Sequence, residues 1–386
     1  MMSYMANRVT HFGTTIFTEM TALANEHQAV NLGQGFPDFP APDFLKEAAV
    51  QAIMADINQY APGNGRPALR TAIANKMQTQ YGMDIDPNTQ INVVVGATEA
   101  IMVTVLGLVN PGEEVILFEP YYDSYVPSVE FAGGIPKYYT LRQPDWAIDR
   151  DELEALFSDK TKLILINTPH NPTGKVFSQE ELQLIADLCQ KYDVIAVTDE
   201  VYEHIVFDGR IHKPLATFPG MAERTVTISS LGKTFSVTGW KVGWTIASPE
   251  LTLAIFRAHQ FNTFSGAAPL QEAAATAVSA PASYYTDLAQ TFQAKRDLLV
   301  EALTAAKLPV IPSYGTYFVM VDIRNLGFAN DVEFCKHLTK EVGVAAIPPS
   351  AFYHNPTDGA GLARFAFCKE DATLQKAAER LQRLGK

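Results

Sequence analysis

The sequence predicts an α/β protein: a large domain with a mostly parallel sheet covered by helices on both faces, and a smaller α+β domain. Three observations carry that reading. From residue 91 short apolar runs alternate with helical periodicities, the rhythm of βα units. Residue types suited to binding recur directly after those runs, and in such sheets ligands sit beyond the carboxyl ends of the strands. After about residue 285 that rhythm gives way to long helices and separate strands.

In chain order, Ile16, Phe17, Met20, Leu23 and Ala24 stand at helical spacing, which predicts a helix over 14–27. Residues 31–40 are too rich in glycine and proline for a helix or a central strand, so they form a loop. Such a loop offers bare backbone N–H groups to an anion, although an ordinary connection reads the same way. Gly63 to Ala68 matches Gly-x-Gly-x-x-Ala. It follows no strand and carries Pro67, so it is no dinucleotide fingerprint, and the helix from about Pro67 to Tyr81 is structural. Strands are expected over 91–95, 114–118, 136–141, 162–167, 194–198 and 225–228. Ser178 with Glu181 forms a capping box for a helix whose apolar face is Leu182, Ile185, Ala186 and Cys189. Beyond 285 come a long helix, a strand over 315–322, a helix near 331–342, a strand over 364–367 and a last helix after Asp371.

Size and charge narrow the function. A chain of 386 residues fits two domains, and 47% apolar with 19% charged residues is ordinary for a soluble enzyme. The net charge of −12 disfavours nucleic acid and anionic membranes as partners. No apolar run approaches a membrane span, and the N-terminal Met-Met-Ser-Tyr-Met-Ala-Asn-Arg has no apolar core of a signal peptide. Cys189, Cys335 and Cys368 are far apart, which predicts reduced thiols, no structural metal and a cytoplasmic location.

Several residues bear chemistry. Lys233 follows the 225–228 strand among Leu231, Gly232 and Phe235, where an amine can be desolvated into a neutral nucleophile. A plain solvated loop lysine is the competing reading. A phosphate-binding P-loop is not, because Thr227 occupies the position that needs glycine. Gly96-Ala97-Thr98 joins a strand to a helix start, which makes an anion site as readily as a packing glycine. Asn171 and Asp199 end two further strands. Arg364 stands in an apolar strand and needs a partner there, either an internal carboxylate or a substrate carboxylate.

These residues together resemble the class I pyridoxal-phosphate aminotransferases of fold type I, from Gly33-Gln34-Gly35 to Arg364. The carrying motifs are Asn171-Pro172-Thr173-Gly174, Asp199-Glu200-Val201-Tyr202, Ser229-Ser230-Leu231-Gly232-Lys233 and Gly239-Trp240-Lys241-Val242-Gly243. Leu32 to Phe39 and Glu119 to Tyr125 resemble the kynurenine/glutamine/methionine branch, and bacterial methionine aminotransferases most. The resemblance implies a seven-stranded sheet in a large domain at 41–284, with 1–40 and 285–386 forming the small one. It implies pyridoxal 5′-phosphate as cofactor, amino acids and 2-oxo acids as substrates, and a homodimer with shared active sites.

By the same resemblance Lys233 would bond the cofactor aldehyde and carry the proton between substrate Cα and C4′. Asp199 would pair with the pyridine nitrogen. Tyr202 and Asn171 would bind the phenolic oxygen, and Tyr121 would stack on the ring. Gly96, Ala97, Thr98, Ser230 and Lys241 would hold the phosphate, with Tyr60 from the neighbouring subunit. Many relatives have arginine where Lys241 stands, which changes the geometry of that contact. Arg364, Asn171 and the Gly35 backbone would bind the α-carboxylate, and the partner's Phe264 would line the side-chain pocket. A β-lyase using the same site, and a non-enzymatic sensor of this fold, are the other implied readings. The sensor is disfavoured by the acidic charge and the short stretch before the first motif.

Overall fold

The computed structural model describes residues 4–384. Met1 to Ser3, in the stretch read above for a signal peptide, and the last two residues of the expected small domain lie outside the described residues. The strands are β1 (Val30–Asn31), β2 (Ile91–Val94), β3 (Glu114–Glu119), β4 (Ile135–Thr140), β5 (Thr161–Asn167) and β6 (Ile195–Asp199), then β7 (Thr225–Ser230), β8 (Gly243–Ile246), β9 (Val310–Ile311), β10 (Phe318–Asp322), β11 (Val344–Ala345) and β12 (Leu362–Ala366).

Seven of them form one sheet in the order β2-β8-β7-β6-β5-β3-β4. Strands β3 to β7 run parallel, while β8 is antiparallel to both β7 and β2. Residue alternation in β5 shows why the run had to be buried on both faces. Leu163 and Leu165 pack with Ile101 and Val105 of the Gly96–Leu108 helix. Ile164 and Ile166 pack on the other face with Leu182, Ile185 and Ala186 of the Gln179–Tyr192 helix. Each such buried aliphatic side chain contributes about 1.5–3 kcal/mol. The capping box of Ser178 and Glu181 opens that second helix as the sequence predicts.

The remaining strands form a three-stranded sheet, β12-β10-β9, and a pair, β1-β11. Parallel pairing of Val30 with Val344 ties the N-terminal segment to the C-terminal one. The core here joins Met20 and Leu32 to Phe318, Phe365 and Leu374.

Three expectations need correction. Lys233 lies not in a loop but in a one-turn helix, Leu231–Thr234, packed so that Gly232 sits against the Thr238 backbone. The helix expected over 331–342 is α-helical over Asp331–His337 and π-helical over Leu338–Val342. The 315–322 strand begins only at Phe318, because Gly315 makes an isolated bridge to Val206 and Thr316 has a positive φ of 64°. The helices Asp43–Met54, Pro249–Asn262 and Ala268–Val278 and strand β8 were not expected.

Among the described residues no helix is long and apolar enough to cross a membrane. None of their His, Cys, Asp and Glu side chains group in threes or more to hold a metal.

Candidate active site

Five strand ends of the large sheet converge on one cavity of about 360 Å³. It opens where β2, β5, β6 and β7 end and where β8 begins, an arrangement that brings Gly96, Asn171, Asp199, Ser230, Lys233 and Lys241 together. The antiparallel start of β8 explains Lys241, since its strand enters the sheet at the edge that the others leave.

Lys233 is the buried amine at the centre. Burial, then the positive charges of Arg364 and Lys241, pull its ammonium down to about 8, against the pull of Asp199. Its Nζ donates to the Gly35 carbonyl at 3.4 Å and stands 5.6 Å from the Tyr202 ring and 5.5 Å from the Tyr317 ring. Asp199 ends β6, and burial pushes its carboxyl up to about 6 although Tyr125, the Val201 N–H and Lys233 all favour the anion. Tyr202 follows in the next turn, fully buried against Tyr317 at 5.1 Å. Asn167 locks the ends of β5 and β6 together: its Nδ2 donates to the Asp199 carbonyl at 2.8 Å and its Oδ1 accepts from the Asn171 N–H at 2.6 Å.

An anion cradle lies opposite. Gly96 opens the Gly96–Leu108 helix at φ 77°, a conformation that favours glycine. A Cβ there would meet Lys241 Nζ at 3.3 Å, so the amine lies over the first turn of the helix. Gly243 must also be glycine, since its Cβ would come within 2.7 Å of the Gly96 backbone. Ala97, Thr98 and Ser230 complete this wall. Free N–H groups, the helix dipole and one cation suit a phosphate. Beneath the cradle Glu99 accepts from His259 at 2.9 Å, Asn262 at 3.0 Å and the Val95 N–H at 2.5 Å, and also from Thr263. Burial would raise this carboxyl, but those donors outweigh it and hold it at about 2.

Arg364, on β12, is 1% exposed, and among the described residues no carboxylate forms a salt bridge with its guanidinium. Nη1 donates to Asn171 Oδ1 at 3.1 Å and Nη2 to the Gly33 carbonyl at 2.8 Å, while Nε has no partner. Three rings enclose it, those of Phe318 at 4.2 Å, Phe17 at 5.2 Å and Phe352 at 5.3 Å. Burial pulls it down to about 10, which still leaves it cationic at neutral pH. The Gly35 backbone, held by the Tyr317 hydroxyl at 2.6 Å, closes this side.

Three predicted residues are not at the cavity. Tyr121 lies outside it, its N–H bonded to the Phe352 carbonyl and its ring 6.0 Å from Tyr138. Its neighbour Tyr122 lines the cavity instead. Tyr60 and Phe264 are 85% and 48% exposed and touch each other edge-to-face at 5.5 Å, far apart in sequence but on one surface. Phe17, Asp123, Tyr125, Asn167 and Phe318 line the cavity without having been singled out. The spacing of Tyr122 and Tyr125, three apart at a helix start, is the one sequence signal that points to any of them.

The model of the family described as aminotransferase class I and II matches residues 27–381. The chain belongs to this family. A probable N-succinyldiaminopimelate aminotransferase of Mycobacterium tuberculosis is 46% identical over 387 residues, covering 97% of each chain. A kynurenine–oxoglutarate transaminase of Dictyostelium discoideum is 42% identical over 420 residues, covering 99% of this aminotransferase and 96% of the relative. A crystal structure of an Escherichia coli protein with methionine aminotransferase function is similar at a TM-score of 0.96 and 43% identity, covering 99% and 100% of the two chains.

Class I aminotransferases depend on pyridoxal 5′-phosphate, and the residues present fit it. The cradle at Gly96 suits its phosphate, the buried Asp199 its ring nitrogen, and the buried Lys233 its aldehyde. The relatives named above are aminotransferases, which favours amino transfer over β-elimination.

Proposed function

We propose that this aminotransferase takes the amino group from a neutral, bulky amino acid and passes it to a 2-oxo acid, both substrates using the same pocket in turn. Methionine, glutamine and aromatic donors including kynurenine fit best. The observation that carries this reading is the single guanidinium at the cavity, Arg364, with apolar walls beside it. One clamp suffices for the α-carboxylate, with Asn171 beside it. A second carboxylate would instead meet Phe17, Phe318 and the acidic Asp123. Methionine and kynurenine in the names of two relatives support this range, whereas the N-succinyldiaminopimelate of a third carries carboxylates beyond the α-carboxylate.

When bound, pyridoxal 5′-phosphate supplies an aldehyde for the amino group and a ring that draws off electrons. Lys233 then takes and returns the proton at the substrate Cα. Asp199 holds the ring nitrogen protonated, and Tyr202 with Asn171 orients the phenolic oxygen. Tyr122, rather than Tyr121, offers its aromatic face. Ser230, Lys241 and the Gly96–Thr98 turn hold the phosphate. Phe17 and Gly35 line the cavity and limit the access of water to these proton transfers.

A panel of donors against several 2-oxo acids tests the substrate range. Methionine, glutamine and phenylalanine are expected to exceed aspartate by at least about 10-fold in kcat/KM, since an unpaired buried carboxylate costs about 1–3 kcal/mol or more. Aspartate as the best donor would overturn the reading.

The enzyme acts in the cytoplasm as a homodimer in this reading. Its three cysteines are all unpaired and buried, which suits a reducing compartment. The exposure of the Tyr60–Phe264 pair supports its entering a neighbouring subunit's site. Sedimentation is expected to give a species of twice the chain mass, and a monomer that transaminates at full rate would refute the shared site.

A further inference from the structure

We propose that Tyr125 is a positioning residue whose hydroxyl, donated to Asp199 Oδ2 at 2.8 Å, fixes that carboxylate as the anion facing the cofactor's ring nitrogen. The inference rests on the cavity being a pyridoxal 5′-phosphate site with Asp199 opposite the nitrogen. Tyr125 and Asp199 are 2% and 4% exposed, so the contact is made out of water, where a hydrogen bond to an anion is strong. Tyr125 opens the Tyr125–Phe131 helix, and its ring meets that of Tyr122 edge-on at 5.7 Å. One turn of chain therefore delivers an aromatic face to the cavity and a proton donor to Asp199.

The rest of the carboxylate is also constrained. Oδ1 accepts from the Val201 N–H at 3.3 Å, and the backbone carbonyl of Asp199 accepts from Asn167 and from the Thr168 N–H. Lone pairs on Oδ1 and Oδ2 remain for a protonated nitrogen. The charged or titratable groups that bear on Asp199 are Tyr125 from its helix, Tyr122 just before that helix, Lys233 from the Leu231–Thr234 turn, and Glu200 and Tyr202 from its own turn. Glu200 opposes ionisation and Lys233 favours it, but Lys233 is the amine that would bond the cofactor's aldehyde, so its charge is not a fixed support. Tyr125 is the side-chain donor that stays on the carboxylate beside the Val201 N–H. Burial pushes its phenol well above the ordinary range, so it keeps its proton throughout.

The test is cofactor binding by apoenzyme, followed by fluorescence from pH 5.5 to 9. Both pyridoxal 5′-phosphate and its 1-deaza analogue, which lacks the ring nitrogen, are titrated against wild type and Tyr125→Phe. Losing the donor raises the Asp199 pKa. The acid limb of the affinity profile should therefore move up by about one pH unit, giving roughly 10-fold weaker binding near pH 6 and little change at pH 9. The analogue should bind both proteins alike. With 3-fluorotyrosine at position 125, a stronger donor of the same packing, the limb should move down. This keeps the proposal testable even where Tyr125→Phe folds poorly. Equal loss for both ligands, a loss independent of pH, or an unmoved limb with fluorotyrosine would each overturn the proposal. Wild type that binds both ligands alike would overturn the placement of Asp199 at the nitrogen, and the proposal with it.

Discussion

Lys233→Ala is expected to lower turnover by about 10⁴-fold or more, the upper range for a positioned acid–base group, and to abolish the absorbance of lysine-bound cofactor. The reason is geometric. Among the described residues Lys233 and Lys241 are the amines at the cavity, and Lys241 is committed to the Gly96 turn. No other amine can reach Cα of a substrate clamped by Arg364. Removing Lys233 takes away one support of the Asp199 anion but leaves the Tyr125 hydroxyl and the Val201 N–H on that carboxylate, so the variant should stay folded. The pH dependence has a definite sign. An amine held at about 8 is protonated below that pH and nucleophilic above it. The rate at which apoenzyme takes up cofactor should therefore rise about tenfold per pH unit below 8 and level off above. A variant that transaminates at wild-type rate would sink the assignment.

Arg364→Met is expected to be the second large effect. Truncating one partner of a buried charge pair costs about 2–5 kcal/mol, roughly 30- to several-thousand-fold in kcat/KM for the amino acid. The unpartnered Nε and the Asn171-bound Nη1 are the groups a carboxylate would engage as a fork. Arg364→Lys should recover only part of the loss, since an ammonium lacks the fork and stacks less well among Phe17, Phe318 and Phe352. Cofactor affinity should change little in either variant. A loss below about threefold would remove Arg364 from substrate binding.

The large sheet was legible because its central parallel strands are short apolar or β-branched runs followed by turns. Burial on both faces demands that pattern over the whole run, as in Thr161–Asn167. The edge at which Asp199, Asn171 and Lys233 gather followed from the same rhythm. Strand β8 and the Ala268–Val278 helix were not legible. The first is a short strand, Gly243–Ile246, that opens on glycine and is too brief for a clear alternation, and the second is so rich in alanine that it shows no distinct apolar face.

The sequence by itself determined the chemistry on offer: a desolvated lysine, a carboxylate at a strand end, a glycine turn before a helix and an arginine in an apolar strand. These depend on neighbours one to eight residues away, which local periodicity reports. Only the tertiary structure decided which side chains meet. It turned Tyr122 to the cavity and Tyr121 away, brought Phe17 from the N-terminal helix over Arg364, and set the Tyr125 hydroxyl on Asp199. The direction of a side chain in a turn, and contacts across hundreds of residues, come from packing of the whole core, which no local pattern encodes.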